Sequence, residues 1–161
     1  MAINQQSTKP AGALPLAQPY YGAPIGEAVK RFFSKYAVFS GRASRSEYWW
    51  WFLANYIVLF VLGTVALIAG GAPSVAADGT VAPPSGGAVV VLVLISLYGL
   101  ATLIPNLSLT ARRLHDGNFS ALFILIVLVP FIGGLILFVL TLLPSKPEGA
   151  RFDSANPQYS Y

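Results

Sequence analysis

Charged residues leave three long gaps in this chain, and the gaps predict its main elements. Residues 49–77, 79–111 and 117–145 contain no Asp, Glu, Lys or Arg. Each gap holds a run of about 20 apolar residues, which at ~1.5 Å per residue crosses a ~30 Å hydrocarbon layer. The expected fold class is an all-α integral membrane protein with three transmembrane helices, over residues 48–70, 88–109 and 121–143. A shorter amphipathic pattern precedes them. Pro24 suits a helix's first turn, and Ile25, Val29, Phe32, Phe33, Tyr36 and Phe39 then recur at helical spacing as one apolar stripe. Lys30, Arg31 and Lys35 lie opposite that stripe. Residues 24–40 therefore read as an amphipathic interfacial helix lying in an anionic membrane surface; the same stripe also serves for packing on the protein's own spans.

Local signals punctuate this pattern. Ser44 and Glu47 have the spacing of a capping box, with the hydroxyl accepting from the Glu47 amide and the carboxylate reaching back. Tyr48, Trp49, Trp50 and Trp51 follow as an aromatic belt, since amphipathic rings favour the headgroup level. Residues 71–87 form a flexible outer loop with Asp78 as its only charge. The second apolar helix continues through Arg112, Arg113 and His115 to Gly117, a natural stop. Ser120 can cap the third, where Pro130 and Gly133-Gly134 predict a kink. Residues 1–23, with Pro10, Pro15 and Pro19, are expected to be disordered and to bury nothing, and residues 144–161 form an irregular tail.

Composition narrows the chemistry. The chain has 161 residues, 55% apolar and only 10% charged, against about 25% charged in soluble domains, so one membrane domain accounts for it. With no cysteine there are no disulfides or thiolate sites, and a single histidine rules out a multi-histidine metal site. No metal and no cofactor are expected. The basic residues signal membrane orientation rather than nucleic-acid binding. Lys30, Arg31, Lys35, Arg42 and Arg45 precede the first span, and Arg112 and Arg113 follow the second. The positive-inside rule puts the N-terminus and the 110–120 connection in the cytoplasm. Three crossings then leave the tail, with Lys146 and Arg151, outside. A re-entrant turn at residues 130–134 would bring the tail back inside. Each half is only about ten residues, too short to span, so three spans are expected.

Most functional-looking side chains converge on the cytoplasmic boundary: Arg42, Arg45 and Glu47 before the first span, and Arg112, Arg113, His115 and Asp116 after the second. Asn55 and Asn106 lie roughly 6–10 Å deeper, placed for an interhelical hydrogen bond. Three readings stay open. In a structural one, Arg112 and Asp116 pair at i,i+4 and Glu47 pairs with Arg112 or Arg113 across the helices. In a second, the arginine forks hold lipid phosphate. In a third, His115 acts as acid or base with Asp116 orienting it, although adjacent helical residues point ~100° apart, which suits a relay poorly. The spans carry no ionisable residue at bilayer depth, which weighs against an ion-coupled transporter.

The stretch Phe39-Ser40-Gly41-Arg42-Ala43-Ser44-Arg45-Ser46-Glu47-Tyr48-Trp49, with Arg112-Arg113-Leu114-His115-Asp116 further on, resembles the two signatures of the YhaH/YhaI-like bacterial inner-membrane family, catalogued as a domain of unknown function. Val129-Pro130-Phe131-Ile132-Gly133 is similar to it as well. The resemblance covers roughly residues 29–152. It implies a small multi-span inner-membrane protein and brings no established activity or cofactor. Gly149-Ala150-Arg151-Phe152-Asp153 departs from the family's usual tail, which has an Asn before the Arg and a Gly after the aromatic residue. The expected function is non-enzymatic: a basic cytoplasmic rim that engages anionic membrane phospholipids, a membrane protein partner or a second copy of the chain. The alternatives are a subunit of an oligomeric transporter or channel, and a membrane enzyme acting on a phosphorylated lipid.

Overall fold

The computed structural model describes residues 16, 18–70, 75, 78–81 and 83–153. Its elements run α1 (Ile25–Ser34), α2 (Arg45–Gly70), α3 (Gly86–Asp116), a 3-10 segment (Ala121–Leu128), α4 (Gly133–Leu142) and a second 3-10 segment (Pro147–Phe152). At ~1.5 Å per residue the 26 residues of α2 and the 31 of α3 each exceed the ~30 Å hydrocarbon thickness. Both are long and apolar enough to cross a membrane. Much of their apolar surface points outward, including Phe60, Ile68 and Leu100.

The helix ends follow from local chemistry. The capping box forms as expected: the Glu47 amide donates to Ser44 Oγ at 3.2 Å, and the Ser44 amide donates to the Glu47 carboxylate at 2.9 Å. Ser85 caps α3 by accepting from the Ala88 amide, and its hydroxyl donates to the Ala69 carbonyl that ends α2. Here α2 and α3 approach closely because their facing residues are small. A Cβ on Gly70 would stand 3.1 Å from the Ala88 methyl, and one on Gly87 3.3 Å from that of Ala69. At its other end α3 stops after Asp116. Asn118 takes a left-handed conformation at φ 67°, while its amide and that of Phe119 close on the carbonyls of His115 and Leu114. Gly117 precedes the left-handed turn; Asn118 makes it.

α1 is shorter than the sequence pattern over residues 24–40. It ends at Ser34, and residues 35–43 run along the side of α3, where Ser108 donates to the backbone carbonyls of Lys35 and Tyr36 and the Ala43 amide donates to Arg112. The apolar stripe divides between two environments. Phe32 is buried, stacked on Trp51 with centroids 3.4 Å apart, and packs with Ala43 and Leu109; Phe33, Tyr36 and Phe39 face outward.

The third apolar run departs most from expectation. Instead of one helix over 121–143, it folds back on itself at residues 129–132. The Gly133 amide donates to Val129, and a Cβ on Gly133 would stand 1.9 Å from the Ile126 carbonyl oxygen, so only glycine fits the return. Pro130 has no N–H to satisfy, and Phe131 sits at the tip with φ 67°, fully exposed. The arms are about 16 Å and 15 Å long, half the thickness of a hydrocarbon layer. Both ends of the run meet at the end of α3, where the Lys146 amide donates to the Asp116 carbonyl. The tail through Asp153 therefore shares its end with Arg42, correcting its expected place on the opposite side.

Residues 19–23, expected to bury nothing, also lie against this end, with Pro19 and Ala23 buried. Residues 1–15 and 154–161, and much of the outer loop, fall outside the described residues.

Candidate functional site

Two buried carboxylates organise this end of the molecule. Glu47, at the start of α2, is 2% exposed and pairs with Arg31 of α1. It also accepts from the backbone amides of Ser44 and of Tyr20, the latter at 3.1 Å. Asp116, in the last turn of α3, is fully buried. It accepts from Arg113 Nη1 at 2.7 Å, from the Tyr21 hydroxyl at 2.8 Å and from Ser145, with Arg42 4.0 Å away. The Tyr21 hydroxyl is held above its usual pKa by burial and by donating to Asp116.

Three arginines then tie the chain's returning segments to this centre. Arg113 donates to the carbonyls of Thr141 and Leu143, and Arg45 donates to Leu143 at 3.1 Å. Cations at a helix C-terminus complement its dipole and its unpaired carbonyls, so these two hold the end of α4 in place. Arg42 pairs with Asp153 at 2.7 Å, and the Gly41 amide donates to the Phe152 carbonyl. His115 stacks flat on Phe152, centroids 3.9 Å apart, with Nδ1 3.1 Å from the Gly41 carbonyl. Gly149 makes this docking possible, since a Cβ there would stand 2.4 Å from the His115 carbonyl oxygen.

The expected residues do come together, but with different partners. Asp116 takes Arg113 at i,i+3, not Arg112 at i,i+4, and Glu47 takes Arg31, not Arg112 or Arg113. Arg112 is left with Nε on the Ser108 carbonyl and Nη2 without a hydrogen-bond partner among the described residues. Asn55 and Asn106 do not bond each other. Asn106 accepts from Trp51 Nε1 at 2.7 Å and Asn55 from the Tyr98 hydroxyl at 2.8 Å, because the aromatic donors on the facing helix reach them first. Of the three basic residues assigned to a membrane-surface face, Lys30 is exposed, while Arg31 and Lys35 are buried. Within the aromatic belt Trp50 is exposed, Tyr48 and Trp49 are half-buried, and Trp51 is buried in the core.

Sequence reasoning missed Tyr20, Tyr21, Ser145 and Phe152, all of which lie in segments read as tails. Gly149 and Pro144 were the available signals of a tightly packed segment after α4.

The electrostatics are unbalanced. Arg31, Lys35, Arg112 and Arg113 are buried with only Glu47 and Asp116 as buried carboxylates, an excess of two positive charges. Burial pushes the Lys35 pKa down to about 8, Arg112 adds repulsion, and Glu47 works the other way. No cluster of metal-binding side chains occurs among the described residues.

The family described as "Protein of unknown function (DUF805)" matches residues 36–154. Inner membrane protein YhaH of Escherichia coli (strain K12) is 34% identical over 122 residues, covering 76% of this chain and 89% of its own length. Inner membrane protein YhaI of the same organism is 39% identical over 104 residues, 65% of this chain and 73% of its own. No solved structure matches the chain.

Proposed function

The chain belongs to the DUF805 family, and from that premise we propose that it is a non-enzymatic protein of the bacterial inner membrane whose cationic cytoplasmic rim engages anionic phospholipid. In this reading α2 and α3 cross the bilayer, residues 121–142 enter and leave from the cytoplasmic side, and both described ends of the chain face the cytoplasm. The membrane assignment draws on YhaH and YhaI, which are both named as inner membrane proteins.

One observation carries the orientation and the ligand class together. The nine described Lys and Arg side chains belong to segments tied to the α1, Glu47 and Asp116 end, and the one described charge at the far end is Asp78. That asymmetry is what the positive-inside rule requires, and it removes the anomaly of Lys146 and Arg151 lying outside. Carboxylates neutralise Arg31, Arg42 and Arg113. Lys30 faces outward beside Glu27, 3.8 Å away, and Arg45 and Lys146 are exposed on the same rim. Each such cation near an anionic leaflet contributes ~1 kcal/mol.

Native mass spectrometry of the full-length protein from nanodiscs holding equal phosphatidylglycerol and phosphatidylethanolamine tests this. Retained lipid is expected to be enriched several-fold in phosphatidylglycerol, and Arg45→Glu with Lys146→Glu is expected to abolish the enrichment. Equal retention of the two lipids by the unmodified protein would overturn the proposal.

A further inference from the structure

Below the rim, α2 and α3 line a partly open cavity of about 230 Å³, with Tyr48, Trp51, Phe52 and Asn55 from one helix and Asn106, Leu109 and Thr110 from the other. The α2 residues follow at i, i+3, i+4 and i+7, so they form one face. Asn55 lies eight residues past Glu47 and Asn106 ten residues before Asp116, which puts both amides ~12–15 Å below the buried carboxylates. This depth is within the hydrocarbon of the membrane-spanning reading on which the inference rests; it does not depend on the rim's lipid preference.

The two amides share a hydrogen-bonding state. Each uses its oxygen as an acceptor, Asn106 from Trp51 and Asn55 from Tyr98. That leaves each NH2 without a hydrogen-bond partner among the described residues. Amide donors without acceptors are costly in hydrocarbon, where no water replaces the missing partner. Asn55 and Asn106 are half-buried and both line the cavity. The surroundings are mainly aromatic and aliphatic. Two amide donors beside the Tyr48 and Thr110 hydroxyls, aromatic walls and no charged side chain on the lining select an occupant that is apolar, offers acceptor oxygens and carries no charge.

We propose that this cavity is an intramembrane binding site for a lipid-soluble molecule bearing a carbonyl oxygen, held by the side-chain N–H groups of Asn55 and Asn106 against Trp51 and Phe52. A ring dione (quinone) and an acyl ester of a membrane lipid present that same acceptor. The volume, below the ~300–1,000 Å³ of drug-sized sites, takes one ring or one ester segment with the alkyl remainder left in the bilayer.

The test uses the full-length protein with 15N-labelled asparagine in nanodiscs of ether-linked phosphatidylcholine, which has no carbonyl. A benzoquinone with a decyl tail is titrated in while the five asparagine side-chain amides are followed by NMR. Saturable movement of the Asn55 and Asn106 NH2 signals, with Asn4, Asn118 and Asn156 still, supports the proposal with a quinone as occupant. Movement of the same two signals when ester-linked lipid replaces the ether lipid, with no quinone present, supports it with the lipid ester as occupant. Asn55→Leu leaves the Asn106–Trp51 bond intact and is expected to weaken binding of the active probe at least tenfold with helicity unchanged. Stationary signals in both arms, or unchanged affinity in both Asn55→Leu and Asn106→Leu, would overturn it.

Discussion

The hydroxyl of Tyr36 donates to the backbone carbonyl of Ala101 at 2.6 Å, and that carbonyl is the one Pro105 deprives of its helical donor. A proline inside a helix removes the bond to the residue four before it, and in a lipid environment the freed oxygen needs another partner. Tyr36 supplies it from outside the helix. The residue read as part of a surface stripe is thus a repair for α3. Tyr36→Phe is expected to cost about 1 kcal/mol of stability in native-like lipid, and close to nothing once Pro105→Ala restores the backbone bond. A double-mutant cycle measured by steric-trap unfolding checks it; equal losses in both backgrounds would separate the two residues.

Thiol labelling tests the hairpin directly, because the chain has no cysteine. Introduced singly, Thr80→Cys and Ala150→Cys both sit at exposed positions. In intact spheroplasts a membrane-impermeant maleimide is expected to modify Thr80→Cys alone, with Ala150→Cys reacting only after lysis. Labelling of both from outside would restore a third crossing.

The close approach at Gly133 makes a sharper structural test. Gly133→Ala forces a Cβ into the Ile126 carbonyl, whereas a Cβ at neighbouring Gly134 meets nothing within 4 Å. Loss of a few kcal/mol is expected for the first and a change within about 0.5 kcal/mol for the second, by thermal denaturation in detergent.

Breaking the Arg31–Glu47 pair by Glu47→Ala is expected to cost about 3–5 kcal/mol, since it strands a buried guanidinium and also removes half of the capping box. Removing both charges with Arg31→Met and Glu47→Gln is expected to recover part of that loss. The stabilities of these two variants, set against the unmodified protein, decide whether the pair holds the fold or only occupies it.

Lys35 gives a pH signature with a definite sign. Its pKa is about 8 in the folded chain against an ordinary 10.5, because burial disfavours the ammonium. Below pH 8 the lysine is charged in both states, and the folded state bears the whole burial cost. Between pH 8 and 10.5 the unfolded chain binds more protons, so stability rises with pH. Compared with Lys35→Met, the unmodified protein is expected to be less stable at pH 7, with the gap narrowing by pH 9.5. A constant gap in denaturation midpoints would show that Lys35 stays charged throughout.

What could be read without coordinates was everything governed by neighbours along the chain. Apolar runs of sufficient length dictate α2 and α3, because a helix satisfies its own backbone bonds wherever it lies. The Ser44–Glu47 cap depends on two residues three apart, and the meeting of Glu47 with the Arg112–Asp116 segment follows from two long antiparallel rods joined at their far ends. Tertiary structure decided the rest: which arginine faces which carboxylate, whether residues 121–142 cross or return, and where both tails lie. Those outcomes turn on contacts between groups far apart in sequence, such as Arg45 and Arg113 with the α4 carbonyls, Arg42 with Asp153, and Tyr20 with Glu47. A buried charge takes whichever partner the packed backbone brings to it, and no local pattern records that choice.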